Sequence, residues 1–198
     1  ALFSANIYFA IEYLSENEGR AFLVLKNISM NSASYMLTIA WIGYALGCPV
    51  VGFLSDLLER RKVMMELCAL LALVAIIMVL YTFNKFYLQL GFFMLGLGAA
   101  GQSIGFATIA ELFKKQFVAV GFGLNNAMIM LLSAISAPLM GLLLDAKQGL
   151  SPTLTISDYL SVFNILIGMA VISLVMALFF IKETFCKSQV EFTVLSVR

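Results

Sequence analysis

The chain has 198 residues, 62% of them hydrophobic and 12% charged, and a mean hydropathy of +1.01. A soluble domain carries an apolar share near ~45–50%, so a water-soluble globule is excluded. A net charge of +1 gives no basis for nucleic-acid binding; with no histidine and three unpaired-looking cysteines (Cys48, Cys68, Cys186), neither a metal site, a cofactor nor a disulfide framework is expected.

A membrane span needs roughly 20 apolar residues to cross a hydrocarbon core about 30 Å thick. The first qualifying segment runs from Leu2 to Leu25 and carries Glu12, Glu16, Glu18 and Arg20. Charges at this depth are costly, and they face protein or water rather than lipid. Glu12, Glu16 and Arg20 follow an i, i+4, i+8 spacing and share one helix face. Counted back from Lys26 at 1.5 Å per residue, Glu16 lies roughly 15 Å deep, near the midplane. Two acids one turn apart disfavour double ionisation, which suits a proton-coupling site. The competing reading is a Glu16–Arg20 ion pair that satisfies only itself.

The second span, Ala33 to Leu54, holds Trp41 and Tyr44 in its middle third. Each offers an aromatic face and a hydrogen-bonding group to a cavity, or simply packs. The third span is Val63 to Phe83. The fourth, Phe86 to Ala110, contains Gly91, Gly96, Gly98, Gly101 and Gly105, with Gln102 and Ser103 as cavity candidates. Its Gly96-Leu97-Gly98-Ala99-Ala100-Gly101 string matches the letters of a phosphate loop, but no strand precedes it, so the glycines are read as packing residues. The fifth span, Val118 to Leu144, has Asn125, Asn126, Ser133, Ser136 and Pro138; buried amides in lipid need partners, and one Asn is expected to line a cavity. The sixth, Tyr159 to Ile181, carries Asn164, read as structural. Residues 1–182 therefore form a six-helix transmembrane bundle and 183–198 a cytoplasmic C-terminal tail. The fold class is all-α and polytopic.

Connector charge alternates. Arg60, Arg61, Lys62, Lys114, Lys115, Lys182, Lys187 and Arg198 fall on one side, against Lys26, Lys85 and Lys147 on the other. The positive-inside rule places both termini in the cytoplasm. Between the second and third spans stands Gly52-Phe53-Leu54-Ser55-Asp56-Leu57-Leu58-Glu59-Arg60-Arg61, a G-x-x-x-D-x-x-x-R-R spacing. Gly52 is expected to admit a neighbouring helix, Asp56 to meet the positive end of an adjacent helix, and the arginines to sit at the headgroups. Glu66 and Glu111 fall on the same side and complete a cytoplasmic charge network.

This segment resembles the loop signature of the major facilitator superfamily, although Leu57 stands where an Arg often follows the Asp and Glu59 where a small residue is usual. The likeness extends over the chain through the span count, the glycine-rich fourth span, and Pro138 with Gly141 in the fifth. It implies two facing six-helix halves that rock about a central site, with Gly52, Asp56, Arg60, Arg61 and Glu111 as the cytoplasmic gating motif. The fourth span lacks the early Arg of that family's N-terminal half, and the signature loop is weakened, so the chain is expected to be the C-terminal half, spans seven to twelve. The tail could equally open a central linker. Because it begins at Ala1 inside an apolar stretch, the chain is read as a fragment whose partner is a missing N-terminal half or a second copy of itself.

The implied function is secondary active transport of a small polar solute, such as an amino acid, across the inner membrane, coupled to protons. Substrate and proton contacts are expected from Glu12, Glu16, Arg20, Trp41, Tyr44, Gln102, Asn125 and Asn126. A receptor, sensor or scaffold built on the same fold is the alternative. No HExxH motif occurs, and Gly101-Gln102-Ser103-Ile104-Gly105 matches the letters G-x-S-x-G only inside an apolar span with no strand before it and no histidine in the chain, so an enzyme is not expected.

Overall fold

The structure, a computed structural model, describes residues 1–149 and 153–188. Those residues are all-α: no strand occurs among them. Five helical segments are long and apolar enough to cross a membrane: Met30–Leu58, Arg61–Tyr81, Lys85–Leu112, Lys115–Gln148 and Ile156–Phe180. The first expected span, the remaining one of the six, is two shorter helices, α1 (Leu2–Glu16) and α2 (Gly19–Leu25). The break falls where Asn17 leaves helical geometry, and a methyl group at Gly19 would collide with the Leu14 carbonyl, so only glycine lets the chain fold back this closely. Tyr159 braces the break by donating its hydroxyl to Glu18 at 3.0 Å.

The second span is α3 (Met30–Leu58), started by Ser29, whose hydroxyl accepts from Ser32 N. The third is α4 (Arg61–Tyr81). The fourth divides at Ala100 into α5 (Lys85–Ala99) and α6 (Gly101–Leu112). The fifth is α7 (Val118–Gln148), which runs through Pro138 without ending. The sixth, α8 (Ile156–Val175), opens with a Thr155–Asp158 capping box and closes in a π turn over Met176–Phe180. The outer part of the expected tail, residues 189–198, and Pro152 lie outside the described residues.

α5 packs into the groove between α3 and α4, while α1 lies against α7, α8 and α6. The α3–α5 crossing is close enough that a methyl at Gly96 would run into the Ala40 carbonyl and the Tyr44 nitrogen. Tyr13, Phe9, Phe22, Phe92 and Phe163 fill the interior. Leu124, Leu131, Ile135, Leu139 and Leu142 of α7 and Phe179 and Phe180 after α8 stay exposed, as a lipid-facing surface requires. We call the two ends of the bundle the Lys26 end and the Arg61 end.

Lys26 itself is buried. Its ammonium donates to the carbonyls of Val79, Leu80 and Thr82 at 2.7, 2.7 and 2.8 Å and lies over the rings of Phe22 and Phe83. It thereby caps the C-terminus of α4, whose last carbonyls have no helical partner.

Candidate functional site

Two polar groupings stand out, one at mid-bundle and one at the Arg61 end. Tyr44 is the midpoint residue of α3 and Ser133 that of α7. Both make interhelical hydrogen bonds at that level. The Tyr44 hydroxyl donates to Gln102 Oε1 of α6 at 2.7 Å, and the Ser133 hydroxyl donates to Glu12 Oε2 of α1 at 2.6 Å. Glu12, more than Glu16, is therefore level with the middle of the bundle; the break after Glu16 leaves that residue exposed at the end of α1. Glu16 and Arg20 line a cavity of about 350 Å³ with Ser34, Thr38 and Trp41 of α3. No ion pair joins Glu16 to Arg20 among the described residues.

Tyr8, one turn before Glu12, completes this face. Its ring meets those of Trp41 and Tyr44 edge-on, with centroids 6.1 and 5.7 Å away, and Trp41 and Tyr44 are 5.8 Å apart. Tyr8, Glu12, Trp41 and Tyr44 are all partly exposed. Sequence reasoning passed over Tyr8 because a lone aromatic in an apolar run reads as packing; its i, i+4 spacing to Glu12 was the available signal.

The two asparagines part company. Asn125 is fully buried and neither amide atom finds a hydrogen-bond partner among the described residues, whereas Asn126 is exposed. Adjacent helical residues point about 100° apart, so one helix face takes only one of them. Neither is brought to the Glu12–Tyr44 grouping by a hydrogen bond. A larger cavity, about 540 Å³, opens near the Arg61 end between Ser4, Met65, Gly105, Thr108 and Phe180. Its walls are mostly apolar, with Ser4, Thr108 and Lys182 as the polar side chains among them.

At the Arg61 end the motif residues behave differently from one another. Arg61 is buried; its Nε and Nη2 both donate to Glu111 Oε1, at 3.0 and 2.8 Å, and Nη1 donates to Ser55 Oγ at 3.1 Å. An ion pair to Asp56 at 2.6 Å completes its set, though Asp56 is mostly exposed. Arg60 instead lies outside this cluster, over the Phe185 ring at 4.9 Å. Among the described residues a methyl at Gly52 would meet nothing within 4 Å, so the close helix approach that the sequence led us to expect is not seen between them. Glu66 pairs loosely with Lys62 at 3.8 Å.

The tail supplies residues that sequence reasoning missed. The Glu183 carboxylate accepts from the backbone N–H groups of Arg61 and Lys62 at 2.8 and 3.2 Å, as an N-cap does, and a carboxylate suits the positive end of α4. Thr184 donates its hydroxyl to the second oxygen of Glu111. The Cys186 thiol reaches the Ser55 carbonyl at 3.4 Å, and burial pushes its pKa up against the pull of Arg61. Phe185 and Cys186 hold left-handed φ of 53° and 55°, a tight turn that folds the tail back onto α3 and α4. Nothing in the composition of Lys182–Lys187 signals such docking.

No group of acids and thiols that could hold a metal ion occurs among the described residues. The sequence is 31% identical over 128 residues to the Inner membrane metabolite transport protein YhjE of Escherichia coli (strain K12), a stretch covering 61% of this chain and 28% of that protein. The chain thus corresponds to well under two thirds of that relative's length. No solved structure matches it. Residues 1–191 match the Major Facilitator Superfamily, and with the apolar helices and the loop signature in place, the chain belongs to that family of multi-pass membrane proteins.

Proposed function

We propose that this chain is the C-terminal half of a twelve-helix secondary transporter that carries a small polar metabolite across the inner membrane by alternating access. The name of its relative, a metabolite transport protein of the inner membrane, agrees with this reading. Its carrying observation is the half-open mid-bundle face, where Glu12, Ser133, Tyr44 and Gln102 from four helices pair with one another. Polar groups in hydrocarbon are retained where they line a pathway or satisfy each other; here two pairs across four helices satisfy each other.

Glu12 is the proposed proton site. Ser133 holds this carboxyl at mid-bundle, where a charge costs about 2.5–3.5 kcal/mol on insertion scales and an acid is retained for a function. Glu16, Arg20, Trp41 and Gln102 are proposed solute contacts, and both termini are proposed to be cytoplasmic. The Arg61–Glu111–Thr184 cluster would then latch α3, α4, α6 and the tail together on that side in one state of the cycle.

The test is uptake into proteoliposomes by the twelve-helix assembly, with and without an imposed pH gradient, for Glu12→Gln and Glu16→Gln. Loss of gradient-driven acceleration in Glu12→Gln, with exchange of solute retained, is expected. Full pH-driven uptake in both variants would overturn the proton assignment.

A further inference from the structure

The break in the first span leaves two opposite charges apart on one cavity. In an unbroken helix a Glu four residues before an Arg faces it across one turn and pairs with it. Here α1 ends at Glu16, Asn17 leaves helical geometry with φ −119° and ψ −120°, and α2 resumes at Gly19. Glu16 and Arg20 therefore fall on separate helices, and neither has an ion-pair partner among the described residues. Both line the same cavity of about 350 Å³, between the break and the Ser34, Thr38 and Trp41 side of α3. That volume is at the small end of the ~300–1,000 Å³ range of ligand pockets, the size for a small metabolite.

The α3 wall has a chemical bias of its own. The Ser34 hydroxyl donates to the Met30 carbonyl at 3.2 Å, and the Thr38 hydroxyl donates to the Ser34 carbonyl at 3.0 Å. Each hydroxyl carries one proton, so with that proton spent on the backbone only oxygen lone pairs remain for a ligand. This wall accepts, and with the Glu16 carboxylate it suits a group rich in N–H donors. Arg20 offers only donors, and its planar fork suits a carboxylate. The partly exposed Trp41 ring adds an apolar surface for a carbon skeleton.

A solute that enters displaces water from both charges and must replace what it removes. A neutral polyol would replace neither, a simple cation would leave Arg20 unmet, and a simple anion would leave Glu16 unmet. We infer that this cavity binds a zwitterion of the α-amino-acid type, its ammonium toward Glu16 and the α3 hydroxyls and its carboxylate toward Arg20. The assignment rests on the transport reading for its setting, because it names the class of solute carried.

Trp41 is the sole tryptophan of the chain, so its fluorescence reports on the cavity wall. The experiment titrates the 198-residue chain in lipid nanodiscs with L-serine, L-leucine and L-phenylalanine at neutral pH and constant ionic strength. Each is set beside its amide, which lacks the carboxylate, and its deamino acid, which lacks the ammonium; glucose serves as the neutral polyol. A saturable change is expected with at least one amino acid. Its amide and its deamino acid should bind about tenfold or more weakly, and glucose should give no response. Arg20→Gln should abolish the preference for the amino acid over its amide and keep that over the deamino acid, and Glu16→Gln should do the opposite. That crossed pattern separates ligand contact from a structural role, which would weaken every probe together. Circular dichroism of each variant checks that the helices persist.

The inference is overturned by no saturable response to any amino acid, by glucose binding as tightly, or by amide or deamino acid binding within about twofold of the amino acid. Variants that weaken all probes alike would overturn it too. Amino-acid binding with no flux of any solute by the twelve-helix assembly would keep the site and sink the transport reading. Flux of solutes that carry one charge or none, with no amino-acid binding, would do the reverse.

Discussion

Replacing Arg61 by methionine isolates the cluster at its end of the bundle. The change removes both bonds to Glu111, the bond to Ser55 and the ion pair to Asp56, and leaves Glu111 with the Thr184 hydroxyl. The side chains of Arg61 and Glu111 are only 10% and 12% exposed, so water does little to compensate. Breaking a buried pair by removing one partner costs about 3–5 kcal/mol. The Asp56 contact adds little, because Asp56 is 64% exposed and screened. At about 2–4 °C per kcal/mol for a chain of this size, the midpoint of thermal unfolding should fall by roughly 10 °C. Removing both partners, as Arg61→Met with Glu111→Leu, leaves no stranded charge and should recover most of that loss, a coupling of at least ~2 kcal/mol. Circular dichroism melts in detergent measure all three proteins, and the coupling should persist at high salt because the pair is shielded from solvent. A shift below about 2 °C in Arg61→Met, or simple additivity in the double variant, would refute the reasoning.

Lys26→Met strands the carbonyls of Val79, Leu80 and Thr82, and should lower stability by about 2–4 kcal/mol in the same melts, while Lys26→Arg loses less. Gly96→Val drives a side chain into Ala40 and Tyr44; thermal unfolding should be depressed by more than that of Gly141→Val, which meets open space. With Cys48 and Cys68 replaced by serine, Cys186 should alkylate several-fold more slowly at pH 7 than a free thiol, because a raised pKa leaves less thiolate, and Arg61→Met, which removes the charge pulling that pKa down, should slow it further.

Hydropathy made the six segments legible because lipid leaves each stretch of backbone no alternative to a helix. It could not find the interruption after Glu16 or the division at Ala100, since a sliding apolar count is blind to backbone direction. Of the motif, Arg61 and Glu111 came together as opposite charges on one side of the bundle should. Arg60 did not join them, because the left-handed turn at Glu59 aims consecutive residues apart, and Gly52 lies earlier, within α3, with open space beside it. Asn125 and Asn126 were indistinguishable as letters and became different only once α7 chose a buried face. Glu183 and Thr184 stayed invisible because a polar residue in a tail gains meaning only from what the tail docks against.

The Lys26 staple and the Arg61 cluster fasten the two ends of α4, one to the α2–α3 connection, the other to α3, α6 and the tail. A rod pinned at both extremities behaves as a strut: it resists tilting relative to its neighbours whichever way the bundle leans. Internal flexing is then left to the elements outside that frame, the jointed pair α1–α2 and the long α7 resting on it, which are also the elements that carry Tyr8, Glu12 and Ser133.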